Sequence, residues 1–186
     1  MTALDSHEIQ VAQILRELGI QKNFGKRKPF REATELESIG EDIYGREQKL
    51  APNAASAWRK LKMAAEGDGV TLRIVSAFRS VAYQRQIIER KLAAGKTMEE
   101  ILRVSAAPGY SEHHTGRAID ITSSGCKPLT EEFERTSGFN WLMHHANNFG
   151  FSMTYPRDNK FGVIYEPWHW TFQEVTPFRK TNRCSQ

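Results

Sequence analysis

An aspartate inside an apolar strand constrains this chain more than any other feature. In "RAIDIT" (117–122) Asp120 is set between Ile119 and Ile121, where a sheet core takes neutral residues. Alternation puts Ile119 and Ile121 on the core side, and Ala118, Asp120 and Thr122 on the other. The acid is either solvated on an open face or paired with something positive. Just upstream lie His113, His114 and then Gly116, where the chain can turn. A cation answers the question. One imidazole and one carboxylate are half of a site whose ligands converge at ~2.0–2.2 Å.

A third ligand is best sought in "YEPWHWTF" (165–172). Pro167 excludes a helical H-E-x-x-H arrangement. In a regular strand Glu166 and His169 would face opposite ways, so a bend near Pro167 is needed to aim both at one point. His113, Asp120 and His169 then make a ligand set for one zinc ion. Glu166 is placed to act as a base toward a water whose pKa the metal lowers to about 7. Arg79 in "SAFRS" (76–80), just past a strand, is a candidate for stabilising a developing oxyanion. This combination suits amide hydrolysis. For His113 taken alone, a bland surface or core histidine is the competing reading.

The remaining pattern predicts an α+β fold, with a central, mostly antiparallel sheet, helices packed around it and a zinc cleft. Helices are expected at 6–18, where Ile9, Ala12, Ile14, Leu15 and Leu18 share a face, and from an Asn53 cap to Gly67. Further helices are expected at 81–94, from the capping box that Thr97 opens, and at 139–148. Strands are expected at 70–78, 117–122, 151–155, 162–166 and 168–172. The chain reads as one domain over 1–186: an N-terminal helical and wrapping extension (1–52), a catalytic core (53–172) and a tail (173–186).

Composition excludes several classes. Net charge is +4, from 26 Lys and Arg against 22 Asp and Glu, with one basic cluster at 22–31 and no recognisable nucleic-acid module. No apolar run reaches the ~18 residues of a membrane span. The opening segment carries acids and no apolar h-region, which places the chain in the cytoplasm as encoded; a trimmed chain or non-standard export would make it periplasmic. Cys126 and Cys184 lie too far apart in sequence for a thiolate zinc motif, and a disulfide between them is open. His7, His144 and His145 read as solvated helix residues. Trp168 and Trp170 share a strand face, as core or as a wall of a substrate cleft, and Tyr155 is open in the same way.

"SAFRS", "YQ" at 83–84, "PGYSEHHTGRAID", "WL…A…FGF" from 141 to 151, "YP" at 155–156 and "YEPWHW" occur together and in order. With them the sequence resembles the zinc D-alanyl-D-alanine carboxypeptidases and dipeptidases of the vancomycin-resistance type. More distantly it is similar to phage peptidoglycan endopeptidases and the hedgehog amino-terminal domain. The resemblance spans roughly residues 50–172. It implies zinc ligation by His113, Asp120 and His169, Glu166 as general base, and Arg79 on the oxyanion or substrate. It puts Ser111 and Gln84 at the substrate, with Tyr155 and Trp168 as further candidates for contact, and leaves His114 outside the metal shell. Thr154 departs from the pattern, standing where many relatives have arginine.

The implied activity is hydrolysis of the terminal D-alanyl-D-alanine bond of peptidoglycan peptides, by a monomer. An L,D-carboxypeptidase or an L-alanyl-D-glutamate endopeptidase would use the same machinery. A non-haem iron oxygenase would leave Glu166 without a role. A zinc-stabilised binding module would need neither Glu166 nor Arg79.

Overall fold

The computed structural model of the protein describes residues 5–21, 28–161 and 163–174. Cys184, most of the expected tail and much of the basic cluster lie outside them.

Helix α1 (Ser6–Glu17) starts where the Asp5 side chain accepts from the Glu8 N–H. Its inner face is Val11, Ile14, Leu15 and Leu18, whereas Ile9 and Ala12 are exposed, contrary to the expected stripe. Residues 28–52 do more than wrap. They carry an antiparallel hairpin, β1 (Glu37–Glu41) with β2 (Glu47–Leu50). Its turn is held by buried Asp42, whose carboxylate accepts from the N–H groups of Tyr44 and Arg46. Ile39 and Leu50 anchor the hairpin to the core.

Helix α2 (Pro52–Gly67) begins with Pro52 in its first turn after Ala51, so the cap is not Asn53, whose amide instead donates to Glu174. Its buried face carries Ala54, Trp58, Leu61 and Ala65. Strand β3 (Arg73–Ser76) leads through Arg79 into α3 (Val81–Ala93), capped by Ser80. Thr97 and Glu100 form the expected capping box of α4 (Met98–Val104).

Strand β4 (Ala118–Thr122) follows a single 3₁₀ turn, Glu112–Thr115, that closes on Gly116 at φ 65°. A Cβ there would sit 3.0 Å from the Ala51 backbone nitrogen, so both conformation and space call for glycine. Helix α5 (Ser137–His145) starts two residues earlier than expected, at a Thr136 cap, and passes through a 3₁₀ turn to Gly150. Strands β5 (Phe151–Met153) and β6 (His169–Phe172) complete the main sheet. The strand expected at 162–166 does not form. Residues 163–166 are an irregular connection, tied down where the Asn159 amide donates to Val163 O at 2.7 Å.

The sheet order is β3-β4-β6-β5, antiparallel throughout. Strand β4 is therefore internal, and all five of its residues are buried. Trp58, Leu61, Ile119, Ile121, Leu142 and Phe151 belong to one cluster between sheet and helices. A smaller cluster, Ile20, Ile88, Ile101 and Ala107, fastens α3 to α4 and the end of the α1 segment. Among the described residues no helix is long and apolar enough to cross a membrane.

Candidate active site

The open-face reading of Asp120 fails: the residue is 5% exposed, on an internal strand. Register places it directly across from His169 on β6 and beside Ser76 on β3. His113 reaches the same point from the 3₁₀ turn. One ligand atom from each of His113, Asp120 and His169 lies within 4.8 Å of the others. The expected bend is present as a turn, in which His169 N donates to Glu166 O at 3.1 Å across Pro167 and Trp168. The Trp170 indole donates to Pro167 O and locks the turn from inside.

The protonation pattern of this group fits a cation. His113 Nδ1 lies 2.6 Å from Ala77 O, which can only accept, so Nδ1 carries the proton. Nε2 is then a bare lone pair, buried and without a hydrogen-bond partner. It faces Asp120 Oδ2 at 3.3 Å. Burial, aided by Arg79, pulls the His113 pKa down to about 4, so this contact is no ion pair at neutral pH. Two acceptors aimed at each other in a dry site repel, and a metal ion between them removes the conflict.

His169 is gripped from both sides. Nδ1 is 3.0 Å from Asp120 Oδ1, and Nε2 is 2.9 Å from Glu112 Oε2. Burial would lower its pKa, but the hydrogen bonds to the two carboxylates outweigh burial and raise it. As an imidazolium the ring donates to Asp120 from Nδ1 and to Glu112 from Nε2. A bound cation would take the place of the Nδ1 proton while Nε2–H goes on donating to Glu112, a carboxylate–histidine–metal arrangement. Thr171 Oγ1 also donates to Glu112, and Thr154 Oγ1 donates to Thr171. Sequence reasoning missed Glu112. Its only signal was its place beside His113 in "SEHH".

Glu166 and Arg79 line the same cleft. Burial pushes the Glu166 carboxyl up to about 7, against the pull of His169. Such a carboxyl can both take and return a proton near neutrality. Burial lowers the Arg79 pKa, opposed by the carboxylates of Asp120 and Glu166, and its Nε is buried without a partner. The cleft encloses about 1330 Å³ and is also lined by Ser111, Gln84, Tyr155 and Trp168. The Tyr155 ring lies 4.9 Å from that of His169. Trp168 lies at once in the core cluster and in the cleft wall.

His114 is no bystander, and it is not in the metal group. It is fully buried, donates from Nδ1 to Arg79 O at 2.6 Å, and accepts the Gly109 N–H on Nε2 at 3.1 Å. It thus ties the Arg79 loop to the Gly109 loop. His144 is exposed and His145 stacks on Trp141, away from the cleft. His7 is half-buried and bonds to Phe30 O rather than standing free in solvent.

The chain is 33% identical over 119 residues to a D-alanyl-D-alanine carboxypeptidase of Enterococcus faecalis, covering 59% of this chain and 42% of that protein. The chain spans less than half the length of two of the curated relatives it matches, 45% and 42%. Among solved structures, the LD-carboxypeptidase LdcB matches with a TM-score of 0.68 and 30% identity, over 76% of this chain and 69% of that one. A mutant of the vancomycin-resistance D,D-pentapeptidase VanY, solved with Zn(II), matches with a TM-score of 0.61 and 28% identity, over 79% and 84%. The family model for VanY, D-alanyl-D-alanine carboxypeptidase, matches residues 47–175. That stretch runs from the hairpin through β6 and contains every residue of the buried metal-type group, so the chain belongs to the VanY D-alanyl-D-alanine carboxypeptidase family.

Proposed function

We infer that the protein is a zinc-dependent D-alanyl-D-alanine carboxypeptidase that removes the terminal D-alanine from peptidoglycan peptides. The observation that carries this reading is the buried lone pair of His113 Nε2 facing Asp120, with His169 completing the set inside a peptide-sized cleft. His113, Asp120 and His169 would hold one zinc ion, and the family match supports that metal. Zinc, when bound, supplies an acidified water and a Lewis acid for the scissile carbonyl.

The chain's own residues do the rest. Glu166 accepts the proton of the attacking water and returns it to the leaving amine. Its raised pKa suits both halves of that transfer. Arg79 places a fixed, desolvated positive charge where the carbonyl oxygen becomes negative. Its position is set by β3 on one side and by His114 on the other. Ser111, Gln84, Tyr155 and Trp168 would orient the peptide. One copy of the chain contributes every group named, so a monomer would suffice for the reading.

Cleavage of an L,D bond is the second reading, favoured by the similarity to LdcB. Mass analysis separates the two. The zinc-loaded protein is given a pentapeptide muropeptide, a tetrapeptide muropeptide and free D-alanyl-D-alanine, with Glu166→Ala alongside. Loss of one alanine from the pentapeptide, absent in the variant, is the expected result. Loss only from the tetrapeptide selects the L,D reading. Cleavage of none, with zinc bound, rejects both.

A further inference from the structure

Three of the six lysines and arginines that line the cleft face an acid. Lys28 lies 3.0 Å from Glu8, Arg46 lies 2.7 Å from Asp42, and Lys49 lies 3.1 Å from Glu47. Lys91 differs. It lines the cleft from α3, is half-buried, and has no carboxylate at ion-pairing distance among the described residues. Its Nζ donates to the neutral hydroxyl of Ser105 at 2.5 Å. Burial, and then the like charges of Lys96 and Arg79, lower its pKa. Holding a partly desolvated ammonium without a counter-charge is unfavourable, and a bound anion would relieve it.

Position narrows the choice of anion. Gln84, Ile87 and Lys91 follow one stripe of α3 along the cleft wall. Gln84 ties its amide nitrogen to Ala106 O and leaves a buried, unpartnered Oε1, an acceptor suited to a peptide N–H. At 1.5 Å per residue, Lys91 lies ~10 Å further along the helix. An extended peptide covers that distance in about three residues. A carboxypeptidase has only one residue beyond the bond it cuts, so a substrate that long must run the other way, toward its N-terminus.

We propose that Lys91 is a specificity-determining residue whose ammonium binds a free carboxylate on the substrate peptide, roughly two to three residues before the cleaved bond. The direction of the peptide rests on the carboxypeptidase reading; the carboxylate site itself does not. In a wall stem peptide two groups offer this chemistry, the α-carboxylate of the D-glutamyl residue and the second carboxylate of diaminopimelate.

Calorimetry on the zinc-loaded Glu166→Gln protein tests the proposal, using synthetic pentapeptides with both carboxylates free, the D-glutamyl group amidated, or the diaminopimelyl group amidated. One amidation should weaken binding about tenfold, the size expected for losing a charge-assisted hydrogen bond. That arm identifies the carboxylate. Lys91→Met should bind the free and amidated forms alike, and Lys91→Arg should restore the preference. In turnover, Lys91→Met in the wild-type background should raise KM about tenfold on the free peptide and leave kcat unchanged. Equal affinity for all three peptides, an undiminished preference in Lys91→Met, or no binding at all would overturn the proposal. A preference seen in binding without release of D-alanine by the wild type would support the subsite and reject the carboxypeptidase reading.

Discussion

The carboxylate of Glu112 lies 2.9 Å from Nε2 of His169, on the far side of the ring from Asp120. It fixes which nitrogen of His169 is free for a metal. Glu112→Gln keeps the size of the side chain and removes its charge. It should weaken zinc binding by roughly 10–100-fold, read by competition with a chromogenic chelator. Unchanged affinity would mean that the ring is oriented by packing alone.

The carboxyl of Glu166 gives a pH signature. Its folded pKa of about 7 is above the ordinary 4.5, because it is buried. The folded chain therefore holds this proton more tightly than the unfolded chain. That stabilisation is complete below pH 4.5 and is lost as pH rises to about 7. With chelator present, Glu166→Gln should be more stable than wild type at pH 8, by at most about 3 kcal/mol. The advantage should vanish at pH 4. Urea melts at the two pH values decide it, and a variant equally favoured at both would contradict the burial argument.

For Arg79 the expected loss is in chemistry and not in metal. Arg79→Ala should lower kcat/KM by roughly 10²–10³-fold, the usual effect of removing one oxyanion donor. Zinc content by atomic absorption should stay at one per chain. Loss of zinc in this variant would reassign Arg79 to holding the site together.

His114 should behave as a structural strut. His114→Ala leaves Arg79 O and Gly109 N without their buried partners. A cost of about 2–4 kcal/mol is expected in urea unfolding. A variant of wild-type stability that had lost zinc would place His114 in the metal shell instead.

Asp120 and His169 drew notice in the sequence because their surroundings break local rules, whereas His113 alone reads as an ordinary histidine and gains weight only from the joint pattern. A charge inside an apolar strand and a proline between two polar residues both demand an explanation. Glu112 breaks no such rule. Its partner His169 is 57 residues away, and only the fold brings them together. The run at 162–166 misled because β-branched residues favour strands, yet the described residues 163–166 join neither sheet. The 37–50 hairpin was hidden by its charge. Only Ile39 and Leu50 of its strands are buried, too few to show alternation, although the Asp42 to Gly45 turn was there to be read. Lys91 falls in the helix expected at 81–94, but that its face lines a cleft depends on how α3 packs.

The pairing of Asp120 with His169 across β4 and β6 has a topological meaning. The two residues are 49 apart in the chain, so an ion held by both pins shut a loop of that length. A covalent cross-link closing such a loop would disfavour the unfolded chain by ~4 kcal/mol. Metal coordination acts in the same sense, as a reversible clasp on the sheet. It also sets an order of events: β6 follows the other three strands of the main sheet in the chain, so the clasp cannot close during synthesis until β6 has emerged.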